Sequence, residues 1–123
     1  MSSQSHKVLL CLASNSNQQQ NMEAARMLLR DVLNELHYTT EHWTEPVNAL
    51  RPDQYLNQLA TGLTNLGPDE LNLRLKDIEQ QLDRKHDKSG IVTIDIDLLE
   101  YDSVRYHLRD WERDYVKDLL PEL

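Results

Sequence analysis

The chain has a single cysteine, Cys11, so no disulfide can form within it. Cys11 stands in the short apolar run of residues 8–13, where a small buried hydrophobe is expected and not a nucleophile. No apolar run approaches the roughly 20 residues that cross a bilayer. The run 8–13 is also too short for the apolar region of a signal peptide, and polar Ser14-Asn15-Ser16-Asn17 follows it in place of a small-residue cleavage site. A cytoplasmic protein is therefore expected. Positive charge is scarce: 13 Lys and Arg against 21 Asp and Glu give a net charge of −8. That weighs against nucleic acid or an acidic membrane as partner, since both need clustered Lys and Arg. It also disfavours a phosphate-rich ligand, unless a divalent metal held by the acidic residues offsets it. Internal repeats and linkers are lacking too, so residues 1–123 are expected to form one domain around one core, with residues 1–6 polar and frayed.

What is present is a regular alternation of patterns. Residues 7–13 form a short apolar strand ending at turn-formers, and residues 14–20 a polar loop. Met22, Ala25, Leu28, Val32 and Leu36, widened by Leu29 and Leu33, make one helical stripe. Residues 38–44 are rich in aromatic and β-branched types and predict a strand that Pro46 ends. Residues 54–64 predict another, weakened in its middle by Gly62. Gly67-Pro68-Asp69-Glu70 is a helix start, with proline at the first helical position and acids in the first turn. Leu71, Leu75, Ile78 and Leu82 form the stripe of that helix. A charged loop, 83–90, leads to a β-branched strand over 91–99. Leu108, Trp111, Tyr115 and Leu119 then fit a last helix that Pro121 stops. The order β-α-β-β-α-β plus a C-terminal helix predicts an α+β, ferredoxin-like sandwich: an antiparallel sheet with helices on one face. That arrangement hosts many functions, so function has to come from particular residues.

Asp95 and Asp97 alternate with Ile94, Ile96 and Leu98, so the two acids share one face of a strand, about 7 Å apart. They repel unless a cation joins them, and Mg²⁺ is the kind of hard ion that takes such oxygens and completes its shell with water and phosphates. Taken alone, the tripeptide is better explained as an amphipathic strand with a solvated acidic face. Tyr55 and Asn57 also share a strand face, and offer a ring for stacking and an amide with both a donor and an acceptor. Alone they are better explained as a core tyrosine beside a surface asparagine. Glu79 lies near the end of the second helix, with Arg84, Lys85, His86 and Lys88 following. These basic residues suit either a loop closing over phosphates or a solvated helix end.

These pieces occur together in one order. Ala13-Ser14-Asn15, Thr44-Glu45-Pro46-Val47, Asp53-Gln54-Tyr55-Leu56-Asn57, Leu66-Gly67-Pro68-Asp69-Glu70-Leu71, Ile78-Glu79 with Arg84, and Thr93-Ile94-Asp95-Ile96-Asp97-Leu98 resemble the successive motifs of the hydroxymethyldihydropterin pyrophosphokinase family. The resemblance spans residues 8 to about 101. It implies that Asp95 and Asp97 hold Mg²⁺ between the phosphates of ATP and the pterin hydroxymethyl. Thr44, Pro46, Val47, Tyr55 and Asn57 would form the pterin pocket, with Tyr115 as a second aromatic wall. Glu79, His86, Lys88, His107 and Arg113 would serve the nucleotide, and Arg84 the loop or the phosphates. The implied reaction moves a pyrophosphoryl group from ATP to the pterin and releases AMP. Two features depart from the family. Gly90-Ile91-Val92 stands where Gly-Pro-Arg is expected, and the preceding loop is shorter and poor in arginine, for which His86 and Lys88 are not equivalent forks. The segment 102–123 is divergent. Two functions thus stand side by side: a short pyrophosphokinase in folate biosynthesis, or a protein on the same scaffold that binds a pterin or nucleotide in a regulatory or interaction role. A ligand-free interaction module is a third. The partners expected are small molecules, and the expected state is a monomer.

Overall fold

An apolar run with no polar alternation has to be buried on both faces, and residues 8–12 are. The computed structural model describes residues 5–46, 51–85 and 88–123; Val47 and His86 lie outside the described residues. Strand β1 (His6–Ser14) is the middle of the sheet. Its Val8, Leu10 and Leu12 face one core, and Leu9 and Cys11 face another. β1 pairs antiparallel with β4 (Tyr55–Thr64) on one side and β5 (Asp95–Tyr101) on the other. The full strand order is β2-β4-β1-β5-β6, where β2 is Asn34–Tyr38 and β6 is Val104–Arg105; a short β3 (His42–Thr44) pairs with the far end of β4. Every pairing is antiparallel. The α+β architecture expected from the sequence is the one observed.

Helices α1 (Gln18–Leu29) and α2 (Pro68–Gln81) lie on one face. Met22, Ala25 and Leu29 of α1 meet Leu71, Leu75 and Ile78 of α2 over Leu10, Leu12, Leu56, Ile94 and Ile96. α2 opens with Pro68 at its first turn and Asp69 and Glu70 beside it; proline loses no hydrogen bond there and the acids oppose the positive helix end. The opposite face carries the C-terminal segment, in which Trp111, Val116 and Leu119 cover Leu9, Cys11, Leu59 and Leu99. Among the described residues no helix is long and apolar enough to cross a membrane.

Several boundaries differ from expectation, and the strand expected over 91–99 is β5, Asp95–Tyr101. The stripe that ran to Leu36 belongs to a helix ending at Leu29. The chain turns there so that Leu33 can pack on Gly62, where an added Cβ would lie 3.2 Å from Leu33 Cβ. Glycine in β4 is thus a close approach rather than a weak point. Of the strand expected over residues 38–44 only Tyr38, the end of β2, and β3 are strand, and the rest of β2 falls where the helical stripe continued. The C-terminal helix is only α3 (Asp114–Leu119), with 3₁₀ turns at Asp110–Glu112 and Leu120–Glu122; Leu108 is exposed, while Trp111 is buried and donates to the Tyr106 carbonyl at 3.1 Å.

Leu10→Ala should cost about 3 kcal/mol in urea denaturation, because it empties a site buried among both helices. Leu108→Ala should change stability by less than about 0.5 kcal/mol.

Candidate active site

The two middle strands and their neighbours place their polar side chains in one spot. Ala13 pairs with Asp95 and Cys11 with Asp97 across β1 and β5. Ala13 also pairs with Asn57, while His42 and Thr44 of β3 sit opposite Asn57 and Tyr55. Side chains at these positions point away from α1 and α2, and a cavity of about 140 Å³ opens among them. Asp95 and Asp97 line it with Cys11 and Ala13; Thr44, Tyr55 and Asn57 form the wall towards β3. Tyr115 of α3 and the turn residues Asp110 and Arg113 close the far side. Small residues on β1 matter here, since Ala13 and Cys11 leave room that a larger side chain would fill.

The charges are arranged unequally. Burial, reinforced by the neighbouring Asp95, raises the Asp97 carboxyl from its ordinary 3.8 to about 6, against the pull of Lys76 and His107. Asp110 is matched by Arg113 Nε at 2.9 Å. The floor is neutral: burial pushes the Cys11 thiol up to about 12, and the Tyr115 phenol above its usual range, with Sγ and the phenol oxygen 3.3 Å apart. The ring of Tyr115 lies 6.4 Å from that of His42 at 24°. Asn57 is buried, and its Nδ2 donates to the His42 carbonyl at 3.0 Å and to Thr44 Oγ1 at 2.8 Å. Its amide therefore ties β3 to β4.

Behind the pocket, two groups hold β5 and the chain before it. Glu79 is buried, and its Oε2 accepts from the Ile96 N–H at 2.8 Å and from Lys76 Nζ at 3.0 Å. Burial raises its pKa although both partners oppose this. Asn15 donates through Nδ2 to the Gly90 carbonyl at 2.8 Å and accepts the Val92 N–H at 2.6 Å. It thereby fixes residues 90–92 beside the end of β1.

The sequence-derived residues fall into two groups. Thr44, Tyr55, Asn57, Asp95, Asp97, Arg113 and Tyr115 come together around the cavity. Glu79 does not line it. Arg84 turns its guanidinium to the carbonyls of Lys85 and Ile91, and His107 lines a separate recess with Pro68, Asp69 and Tyr106. Lys88 is exposed. Pro46 follows β3 by two residues. Sequence reasoning missed Asp110, Lys76 and the part played by Cys11 and Asn15. Asp110 and Lys76 look like ordinary surface charges in the sequence, and only the Arg113 spacing of three hinted at the first.

The residues present fit a divalent ion in the chemistry of their donors. Two carboxylates share a half-buried recess, and one of them holds its proton unusually late. Among the described residues no cluster of three or more His, Cys, Asp or Glu side chains forms a closed metal cage, so an ion on this pair would complete its shell with water and substrate oxygens.

Over residues 9–123 the chain matches the family model described as 7,8-dihydro-6-hydroxymethylpterin-pyrophosphokinase (HPPK). The chain belongs to the HPPK family. It is also similar to two proteins of Arabidopsis thaliana. It is 33% identical to "Folate synthesis bifunctional protein, mitochondrial" over 96% of this chain and 23% of that protein. It is 30% identical to "Folate synthesis bifunctional protein" over 95% of this chain and 27% of that one. The chain thus spans about a quarter of each relative. HPPK proteins are pyrophosphokinases as a family, and the HPPK match covers every element that lines the cavity.

Asp97 makes the stability depend on pH. The folded carboxyl keeps its proton up to about pH 6, whereas the unfolded one releases it near 3.8. Between those values the folded state binds more protons, so this group favours folding as pH falls through 6 and opposes it above. Asp97→Asn should therefore stabilise the protein by about 1–2 kcal/mol at pH 7, with the gain vanishing below pH 4 in parallel denaturant melts.

Proposed function

We propose that the chain is a Mg²⁺-dependent pyrophosphokinase, transferring the terminal pyrophosphoryl group of ATP to 6-hydroxymethyl-7,8-dihydropterin in folate biosynthesis and releasing AMP. The observation that carries this is the meeting of Asp95 and Asp97 with Tyr55, Asn57 and Thr44 around one recess in a chain of this family. Asp95 and Asp97 would hold the metal, which when bound neutralises charge between the nucleotide phosphates and the pterin hydroxymethyl. Thr44, Pro46, Val47, Tyr55, Asn57 and Tyr115 would take the pterin. The rings of Tyr55 and Tyr115 suit its flat faces, and the amide oxygen of Asn57, whose N–H groups already hold His42 and Thr44, suits a donor on its polar edge. A pocket built to hydrogen-bond such an edge rejects analogues lacking it.

The nucleotide would lie towards β5, with Lys88, His107 and Arg113 as the described candidates to serve it. Glu79 would act from below by holding the Ile96 N–H. Arg84 would hold the chain at Lys85 and at Ile91 through its carbonyl contacts. In the reaction the hydroxymethyl oxygen forms a bond to the β-phosphorus as the bond from that phosphorus to the α,β-bridging oxygen breaks. The protein's share is orientation and charge balance rather than covalent participation. The substrates are small molecules, the proposed state is a monomer, and the proposed compartment is the cytoplasm.

A second reading has its own support. Arg84 is engaged with backbone carbonyls, Arg113 is engaged with Asp110, and Val92 stands where the family carries an arginine. A recess whose nearby described guanidinium groups are already engaged suits binding of the pterin or nucleotide without transfer.

AMP formation from ATP, Mg²⁺ and hydroxymethyldihydropterin distinguishes the two. The expected result is AMP from the unmodified chain and a loss of at least about a hundredfold in Asp95→Ala, with the far-UV spectrum unchanged. No AMP from a folded chain that still binds the pterin would favour the second reading, and equal rates in both proteins would refute the metal assignment.

A further inference from the structure

A polyphosphate seated beside Asp95 and Asp97 meets a third carboxylate, Asp110, and the arginine of the cavity wall is already held by that group at 2.9 Å. Positive charge has to arrive from elsewhere. Lys76 brings it round the outer edge of β5 from α2. Its ammonium lies 3.0 Å from Glu79 Oε2, 3.5 Å from the Ile96 carbonyl and 3.8 Å from Asp97 Oδ1. The last distance is electrostatic contact without a hydrogen bond. An ammonium has three N–H donors, so one donor remains on the side of Asp97 for another acceptor. The side chain is 40% exposed, and an incoming ligand can therefore reach it. Its position is not that of a free surface lysine, because Glu79, itself anchored on the Ile96 N–H, holds it in place.

We propose that Lys76 binds the polyphosphate of the nucleotide and supplies from α2 the positive charge that the arginine-poor loop before β5 lacks. The proposal rests on the pyrophosphokinase reading above. A lysine suits this task as a compact point charge among phosphate oxygens. It also explains why Asp97 keeps a cationic neighbour: the carboxylate and the phosphates share it, and nucleotide binding need not strip it away.

Calorimetric titration of the full chain with Mg²⁺ and α,β-methylene-ATP tests this. Mg²⁺ alone and hydroxymethylpterin serve as separate titrants. Lys76→Met should weaken binding of the Mg-analogue by about tenfold or more, and Lys76→Arg should keep it within about threefold. Affinity for Mg²⁺ alone and for the pterin should not fall. If Lys76→Met fails to fold, Lys76→Gln, which can still donate to Glu79, decides with the same expected loss. Unchanged analogue affinity in the charge-free variant overturns the proposal and leaves the pyrophosphokinase reading standing. A parallel loss for Mg²⁺ alone overturns it too, since Lys76 would then act only by positioning Asp97. An unmodified chain that binds neither analogue nor pterin overturns both readings.

Discussion

A strand that turns two carboxylates to one face has to be held from the other. β5 pairs with β1 along its length, but β6 reaches only Glu100 and Tyr101. At Ile96 the outer edge therefore has backbone groups with no strand beside them, a position that would be costly or sticky if left open. Glu79 fills the place of a neighbouring strand by accepting the Ile96 N–H, and Lys76 stands at the Ile96 carbonyl. The arrangement carries a cost. Glu79 is buried, and its Oε1 has no partner among the described residues, so the carboxylate depends on Lys76 and one N–H for compensation. In return, α2 is locked to β5 at the level of the acidic pair, and the helix packing sets the height of Asp95 and Asp97 over β1.

Asn15 does the corresponding work at the start of that strand. Residues 91–94 have the composition of a strand, yet β5 begins at Asp95. The reason is that the side chain and N–H of Asn15, not a second strand, take the backbone groups of residues 90 and 92. Gly90 adopts φ 78° there, a conformation that suits glycine. Residues 90–92 thus lead into β5 on a fixed footing beside the end of β1.

The fold was legible because its two periodicities are clean. The stripe of Leu71, Leu75 and Ile78 and the alternation through Ile94, Ile96 and Leu98 lead directly to α2 and β5, and the apolar run 8–12 to a strand covered on both sides. Helix α1 misled because Val32 and Leu36 continue its spacing although Leu33 is drawn to Gly62, a contact with no local signature. At the site, strand alternation was enough to bring out Asp95, Asp97, Tyr55 and Asn57, which need only one face to meet. Glu79 and Arg84 stood out in the sequence, but their backbone partners did not, since a helix end does not reveal which backbone groups await one. Lys76 and Asp110 were invisible for a related reason: an ordinary charge gains meaning only from what folds against it.

The pocket also has a history within each molecule. Its floor joins Cys11 to Tyr115, 104 residues apart in the chain, and Glu122 accepts hydrogen bonds from Thr40, 82 residues away, to pin the segment leading to β3. Closing such distant contacts is slow compared with forming local helices. During synthesis α1 and α2 can form well before the last wall is available, and the outer side of β1 stays uncovered until residues 111–119 have left the ribosome. The recess consequently closes only after all the strands that line it have been made, and a chain interrupted before residue 110 would hold the sheet without the far wall of the recess.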